Sequence, residues 1–256
     1  MLKIFVAAVA ITAGGLLNAH AAEKPTVVLV HGAFADASSW NGVITRLEKD
    51  GYPVVAVANP LRSVTSDGDY VGKVVAGLKT DVVLVGHSYG GSVINEAAAG
   101  SANVKSLVFV AAFAPDVGET ALVLSGKFPG STLAPTLAEP VQLDGGVKDL
   151  YIKQSAFDDQ FAADVSKADG KLMAATQRPI TDKALGEAST VASWKKIPSW
   201  FVYGDADKNI PPKALGWMAE RAGSKETVVV KGASHVVMVS HPDKVAKVIE
   251  DAASNK

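Results

Sequence analysis

One stretch, Asp81-Val82-Val83-Leu84-Val85-Gly86-His87-Ser88-Tyr89-Gly90-Gly91, restricts the fold more than any other part of the chain. The apolar run Val82 to Val85 predicts a central parallel strand covered on both faces, where alternation is lost. Ser92 to Gly100 is compatible with a helix. Between them lies G-x-S-x-G, with Gly86 and Gly90 two residues either side of Ser88. A side chain at the apex of so sharp a turn sits in strained backbone, and its neighbours at ±2 must be small where strand and helix approach. The Ser88 hydroxyl is thereby lifted above the sheet, and the next N–H points toward a helix N-terminus that suits negative charge. The bare motif is weak. A strand before it and a helix after it make it a nucleophile turn.

The rest of the chain alternates in the same way. Strands are predicted at Thr26–Val30, Pro53–Ala58, Ser106–Ala112, Ser199–Gly204 and Glu226–Gly232. Helices are predicted at about Ser39–Leu47, Asp69–Leu78 and Asp243–Ala253. From Asp116 to about Lys195 no strand is predicted, only helical stretches such as Asp158–Lys167 and Lys171–Gln177. Six strands alternating with helices predict an α/β fold, a doubly wound and mainly parallel six-stranded sheet. The strandless region is too long for a connection and reads as an inserted helical cap, residues 116–195, on a core of residues 22–115 and 196–256. Ligands of such sheets bind beyond the carboxyl ends of the strands.

Composition narrows the function. The 256 residues carry a formal charge of −1 and no run of basic residues, which argues against a nucleic-acid partner. With no cysteine, disulfides, thiolate metal sites and cysteine nucleophiles are excluded. No metal cluster, nucleotide loop or cofactor motif is apparent. Residues 1–21 read as a secretory signal peptide: Lys3, the apolar run Ile4 to Leu17, and Ala19-His20-Ala21 as the cleavage signal. The apolar run is shorter than the ~20 residues that span a bilayer, so the expectation is an exported protein, periplasmic or secreted, with no stable membrane insertion.

A serine hydroxyl needs a base, and histidine has a suitable pKa. His20 lies in the signal, His31 ends the first strand, and His87 is too near Ser88 in sequence to bend back onto it. Of the remainder, His235 follows the last strand at the active end of the sheet, whereas His241 precedes Pro242 as a solvated helix-start residue. The base needs a carboxylate to fix its tautomer. The loop Gly204-Asp205-Ala206-Asp207-Lys208-Asn209-Ile210-Pro211 offers Asp207 at its apex and Asp205, placed to tighten the turn. Asp116, after Pro115, is a third carboxylate and reads as a polar residue opening the cap. A tetrahedral oxyanion needs backbone donors. The Tyr89 N–H is one, and the loop His31-Gly32-Ala33-Phe34 supplies the other. Phe34 and Trp40 are the residues expected to line a pocket.

Taken together, His31-Gly32-Ala33 with Trp40 downstream, Gly86-His87-Ser88-Tyr89-Gly90-Gly91, the Gly204–Pro211 loop and Gly232-Ala233-Ser234-His235 with Met238 resemble the α/β-hydrolase superfamily. The resemblance is to small capped esterases related to plant methylesterases and hydroxynitrile lyases. It implies Ser88, Asp207 and His235 as a triad and the amides of Ala33 and Tyr89 as an oxyanion hole. It also implies a hydrolase of small carboxylic esters acting through an acyl-enzyme without a cofactor. Lactonase, perhydrolase and carbon–carbon bond hydrolase activities share that triad, and a non-catalytic small-molecule binder shares the fold. The lyases of the group carry threonine where this chain has Gly32, and lysine where it has Val236. Both differences favour hydrolysis.

Overall fold

Valine and leucine fill successive positions of several short segments and leave no polar face for solvent, so these segments must lie inside a sheet. The computed structural model describes residues 23–254; the expected signal peptide lies outside them. In chain order the elements are β1 (Thr26–Val30), α1 (Asn41–Lys49), β2 (Val54–Val57), α2 (Val64–Gly77), β3 (Val82–His87), α3 (Gly90–Ala97) and β4 (Val104–Val110). Then come α4 (Ala121–Ser125), β5 (Val141–Gln142), β6 (Lys148–Leu150), α5 (Gln154–Phe161), α6 (Lys167–Thr176), β7 (Ile180–Thr181) and α7 (Asp182–Gly186). The chain closes with β8 (Ser199–Gly204), α8 (Pro212–Arg221), β9 (Thr227–Val230), α9 (Val237–Ser240) and α10 (Pro242–Ser254).

Six strands form one sheet in the order β2-β1-β3-β4-β8-β9, every neighbouring pair parallel. Strands β1, β3 and β8 are buried at every position. Removing a valine or leucine side chain from water contributes about 1.5–3 kcal/mol, so these strands carry the core. Helix α10 buries Val245, Val248, Ile249 and Ala252 as one stripe, against α1, β4 and β8. The Ser106 hydroxyl of β4 donates to its Ala252 carbonyl at 2.7 Å. The winding reverses between β1 and β3, and a sheet of this kind opens its ligand crevice at that point. The loops leaving those two strands carry Ala33 and Ser88.

The inserted region differs from expectation. Besides helices α4 to α7 it contains a second sheet, order β5-β6-β7, with antiparallel pairing. Its strands span two or three residues each, too few to show the alternation by which a strand is read. Helices α5 and α6 each start four residues ahead of the predicted positions. The Ser166 side chain accepts the Asp169 N–H and sets the start of α6. Helix α2 likewise begins at Val64 because Ser63 caps it. Among the described residues no helix is long and apolar enough to cross a membrane.

Candidate active site

The turn after β3 is tight in the way its glycines require. Ser88 has φ 54°, a left-handed conformation rarely adopted by a residue with a side chain. A Cβ at Gly86 would stand 2.5 Å from the Gly90 carbonyl oxygen, and one at Gly90 2.5 Å from that of Val30. Strain of this kind costs on the order of 1–3 kcal/mol and persists only where the surroundings over-determine it. They do so here. The Ser88 N–H donates to the Val110 carbonyl at 3.2 Å, while its own carbonyl accepts from Gly91 at 3.0 Å and Phe113 at 3.2 Å.

Two further loops converge on this serine. His235 follows β9 and Asp207 follows β8. His235 Nε2 lies 2.9 Å from Ser88 Oγ, and His235 Nδ1 lies 2.6 Å from Asp207 Oδ2. Asp207 Oδ1 accepts the N–H groups of Asn209 at 2.8 Å and Ile210 at 3.0 Å. With Oδ1 so occupied the carboxyl group acts as acceptor, so Nδ1 carries the histidine proton and Nε2 faces the serine with its lone pair. Asp207 and His235 are both buried, and a hydrogen bond in such low-dielectric surroundings is stronger than one in water.

The alternatives lie elsewhere. Asp205 Oδ1 accepts the Gly232 N–H at 2.6 Å and ties the β8 and β9 loops together. Asp116 pairs with Lys195 at 2.6 Å, and that ammonium holds its carboxyl below the usual range. His241 packs its Nδ1 against the Ser240 hydroxyl at 2.9 Å. His31 and His87 are buried away from Ser88 Oγ and hold backbone groups. His31 Nδ1 donates to the Gly32 carbonyl at 2.9 Å and its Nε2 accepts the Asn59 N–H at 3.0 Å. Burial lowers its pKa, and burial pushes that of His87 well down.

Ala33, Tyr89, Ser88 and His235 line one cavity of about 200 Å³. The Ala33 and Tyr89 amides donate to no protein acceptor among the described residues, whereas the Phe34 amide is taken by the Arg178 carbonyl at 3.0 Å. Leu122, Leu133, Leu137, Leu150 and Leu185, from the segment between β4 and β8, close the cavity, and among the described residues no Asp, Glu, Lys or Arg side chain lines it. Phe34 is among its lining residues. Trp40 is not: it is fully buried, set edge-on behind the His87 ring at 6.4 Å. A helical apolar stripe places it in the core, and its expected pocket role is corrected accordingly. Phe161 was not singled out by sequence, yet its ring lies 5.1 Å from that of His235 and 6.1 Å from that of Phe34. Its pairing with Phe157 marks an apolar face of α5, but nothing in the sequence says which surface that face covers.

A parallel sheet with a strained serine turn, a buried histidine–aspartate pair and a capped apolar cavity defines a class, and the comparisons agree. Residues 27–248 match the alpha/beta hydrolase family, to which the chain belongs. It is 28% identical to alpha/beta hydrolase nvfD of Aspergillus novofumigatus over 90% of this chain and 97% of that protein. It is 26% identical to the alpha-hydroxynitrile lyase of Arabidopsis thaliana over 86% of this chain and 94% of that one. Polyneuridine aldehyde esterase superposes with a TM-score of 0.76 at 20% identity, covering 89% of this chain and 98% of its own.

Proposed function

We propose that this protein is a serine hydrolase that cleaves a small, uncharged carboxylic ester through an acyl-enzyme. The observation that carries the reading is the unbroken chain from Ser88 Oγ to His235 Nε2 at 2.9 Å and from His235 Nδ1 to Asp207 Oδ2 at 2.6 Å. As Ser88 Oγ attacks the ester carbonyl, its proton passes to His235 Nε2, and Asp207 stabilises the imidazolium. The carbonyl oxygen becomes an oxyanion and receives the Ala33 and Tyr89 N–H groups. His235 then protonates the departing alkoxide, leaving an acyl-Ser88. Water, deprotonated by the same nitrogen, attacks that acyl group and regenerates the serine.

The cavity supports the substrate class. A volume of about 200 Å³ lies between the ~150 Å³ that holds a benzene ring and the ~300–1,000 Å³ of drug-sized pockets. Leucine walls without a fixed charge favour a neutral, apolar acyl or alcohol group.

Hydrolysis is favoured over cyanohydrin cleavage by the space at position 32. A Cβ at Gly32 would stand 2.6 Å from Ser88 Cβ and 2.7 Å from the His87 carbonyl oxygen, so the nucleophile turn leaves no room for a hydroxyl-bearing side chain there. Position 236 is a buried valine, which cannot hold an anion.

The test is a panel of aryl and methyl esters, lactones and mandelonitrile with purified protein. Turnover of short esters, lost in Ser88→Ala, is expected. Cyanide release that depends on Ser88, with no ester turnover, contradicts the reading.

We also propose export with cleavage near Ala21, from the charged, apolar and small-residue pattern of residues 1–21. N-terminal sequencing of exported material tests it, and an intact Met1 in a membrane fraction contradicts it.

A further inference from the structure

Tyr89 has a second attachment at the far end of its side chain. Its hydroxyl donates to Asp67 Oδ2 at 2.9 Å. Asp67 lies in the first turn of α2 and is fully buried. Its carboxylate also accepts the Arg62 N–H, at 3.2 Å to Oδ1 and 3.0 Å to Oδ2. Packing does not require this arrangement, since a buried charge held by hydrogen bonds is often no more stabilising than apolar side chains of similar volume. What it adds is direction. The phenol pinned at Asp67 fixes the orientation of the residue immediately after the strained Ser88, a residue that lines the cavity and whose amide has no protein acceptor among the described residues.

Arg62 carries the restraint into the cap. Its Nη1 donates to Asp149 of β6 at 2.7 Å and its Nη2 to the Pro179 carbonyl at 2.8 Å. The Arg62 carbonyl accepts the Thr181 hydroxyl at 2.7 Å, and the Leu61 carbonyl accepts the Thr181 N–H at 3.2 Å. One cap segment, residues 178–181, is thus bonded to the Arg62 loop. The same segment takes the Phe34 amide through the Arg178 carbonyl at 3.0 Å, one residue beyond the Ala33 amide.

We infer that Asp67 is a positioning residue for the oxyanion hole, acting through the Tyr89 hydroxyl, and that Arg62 ties this alignment to the seating of the cap. The inference rests on the reading above that the Ala33 and Tyr89 amides receive the oxyanion. Both donors are then held against one cap segment, so a cap that shifts loosens both sides of the hole together.

The test uses the full chain and four variants: Tyr89→Phe, Asp67→Asn, their double variant, and Arg62→Gln. Tyr89→Phe keeps the ring and deletes only the bond to Asp67, so it tests the point even where a change at Asp67 impairs folding. Removing an oxyanion donor outright costs roughly 10²–10³ in kcat; misaiming one should cost about tenfold. Tyr89→Phe is therefore expected to lower kcat about tenfold with KM changed less than about twofold. An aryl trifluoromethyl ketone, whose adduct with serine mimics the tetrahedral intermediate, should lose affinity by the same factor. The double variant should be no worse than the poorer single one, and Arg62→Gln should give the same kcat pattern with a smaller loss. A Tyr89→Phe variant that melts lower but keeps kcat and ketone affinity overturns the inference, as does a loss confined to KM. Fluorophosphonate labelling of the wild type separates the two claims. A wild type that takes no label sinks the hydrolase reading and this inference with it, whereas a labelled wild type with indifferent variants sinks the inference alone.

Discussion

His87 donates from Nε2 to the carbonyl oxygen of His235 across 3.2 Å, with the two rings 4.8 Å apart. The ring beside Ser88 thus holds the backbone of the residue proposed to activate that serine. It does so as a neutral imidazole, because burial pushes its pKa well below 6.5.

That neutrality has a consequence for stability. Burial also lowers the pKa of His31 below 6.5. The unfolded chain, whose histidines keep their ordinary pKa, binds more protons below that pH than the folded one does. Stability is complete above about pH 6.5 and falls as pH drops, by up to about 1.4 kcal/mol per pH unit for each histidine. Urea midpoints at pH 7.5, 6.5 and 5.5 should decline in that order. His87→Gln, which keeps a donor for the His235 carbonyl, should flatten the decline. A flat or rising wild-type profile contradicts this.

The two loop aspartates should separate cleanly. Asp207→Asn preserves shape but no longer fixes the histidine tautomer, and kcat should fall by roughly 10²–10⁴. Asp205→Asn weakens only the tie to Gly232 and should cost about 1 kcal/mol of stability with kcat within a few-fold of wild type. Steady-state kinetics and thermal melts of both variants check it. Equal or reversed losses in kcat contradict the assignment.

The sheet was legible because its strands are apolar runs bounded by glycine, proline and asparagine, and because burial on both faces erases alternation in Val82–Val85. The Ser88 turn was legible because close packing at Gly86 and Gly90 leaves no alternative residue. The sequence set Asp207 apart from Asp205 by its place three residues beyond Gly204 and just ahead of Ile210-Pro211, and in the structure the Asn209 and Ile210 amides close on its side chain. The cap was less legible. Its strands, of two or three residues, span little more than one period of alternation, and α6 is started by the Ser166 cap rather than by its apolar residues, while α5 starts at Gln154 with no side-chain cap. The Tyr89–Asp67–Arg62 connection was invisible, since the helix predicted at Asp69–Leu78 left Asp67 in the loop before it, where an aspartate carries no sign of burial. Only the tertiary fold buries it.

Position 32 gives a steric prediction. Gly32→Thr must move either Ser88 or the His87 carbonyl, because even the Cβ would stand 2.6 Å from Ser88 Cβ. The variant should lose ester turnover by more than about tenfold without gaining cyanide release from mandelonitrile. Full ester activity in Gly32→Thr contradicts the claim that this glycine is required by contact.

Phe34 separates the inner cavity from an outer groove of about 250 Å³ that runs past Asp36, Met173 and Gln177. Phe34→Ala should join the two and shift preference toward longer acyl chains. The ratio of kcat/KM for p-nitrophenyl octanoate over acetate should rise about tenfold or more, the scale expected when a few methylenes gain apolar contacts. An unchanged ratio means that the ring does not form the wall.

The central claim is that Ser88 is a nucleophile activated by His235. Intact-mass analysis after treatment with a fluorophosphonate measures it most directly. One adduct is expected on the wild type, mapped to Ser88 by peptide sequencing. It should be absent in Ser88→Ala and formed far more slowly in His235→Ala. A wild type that takes no label, or a single adduct on another residue, contradicts the account.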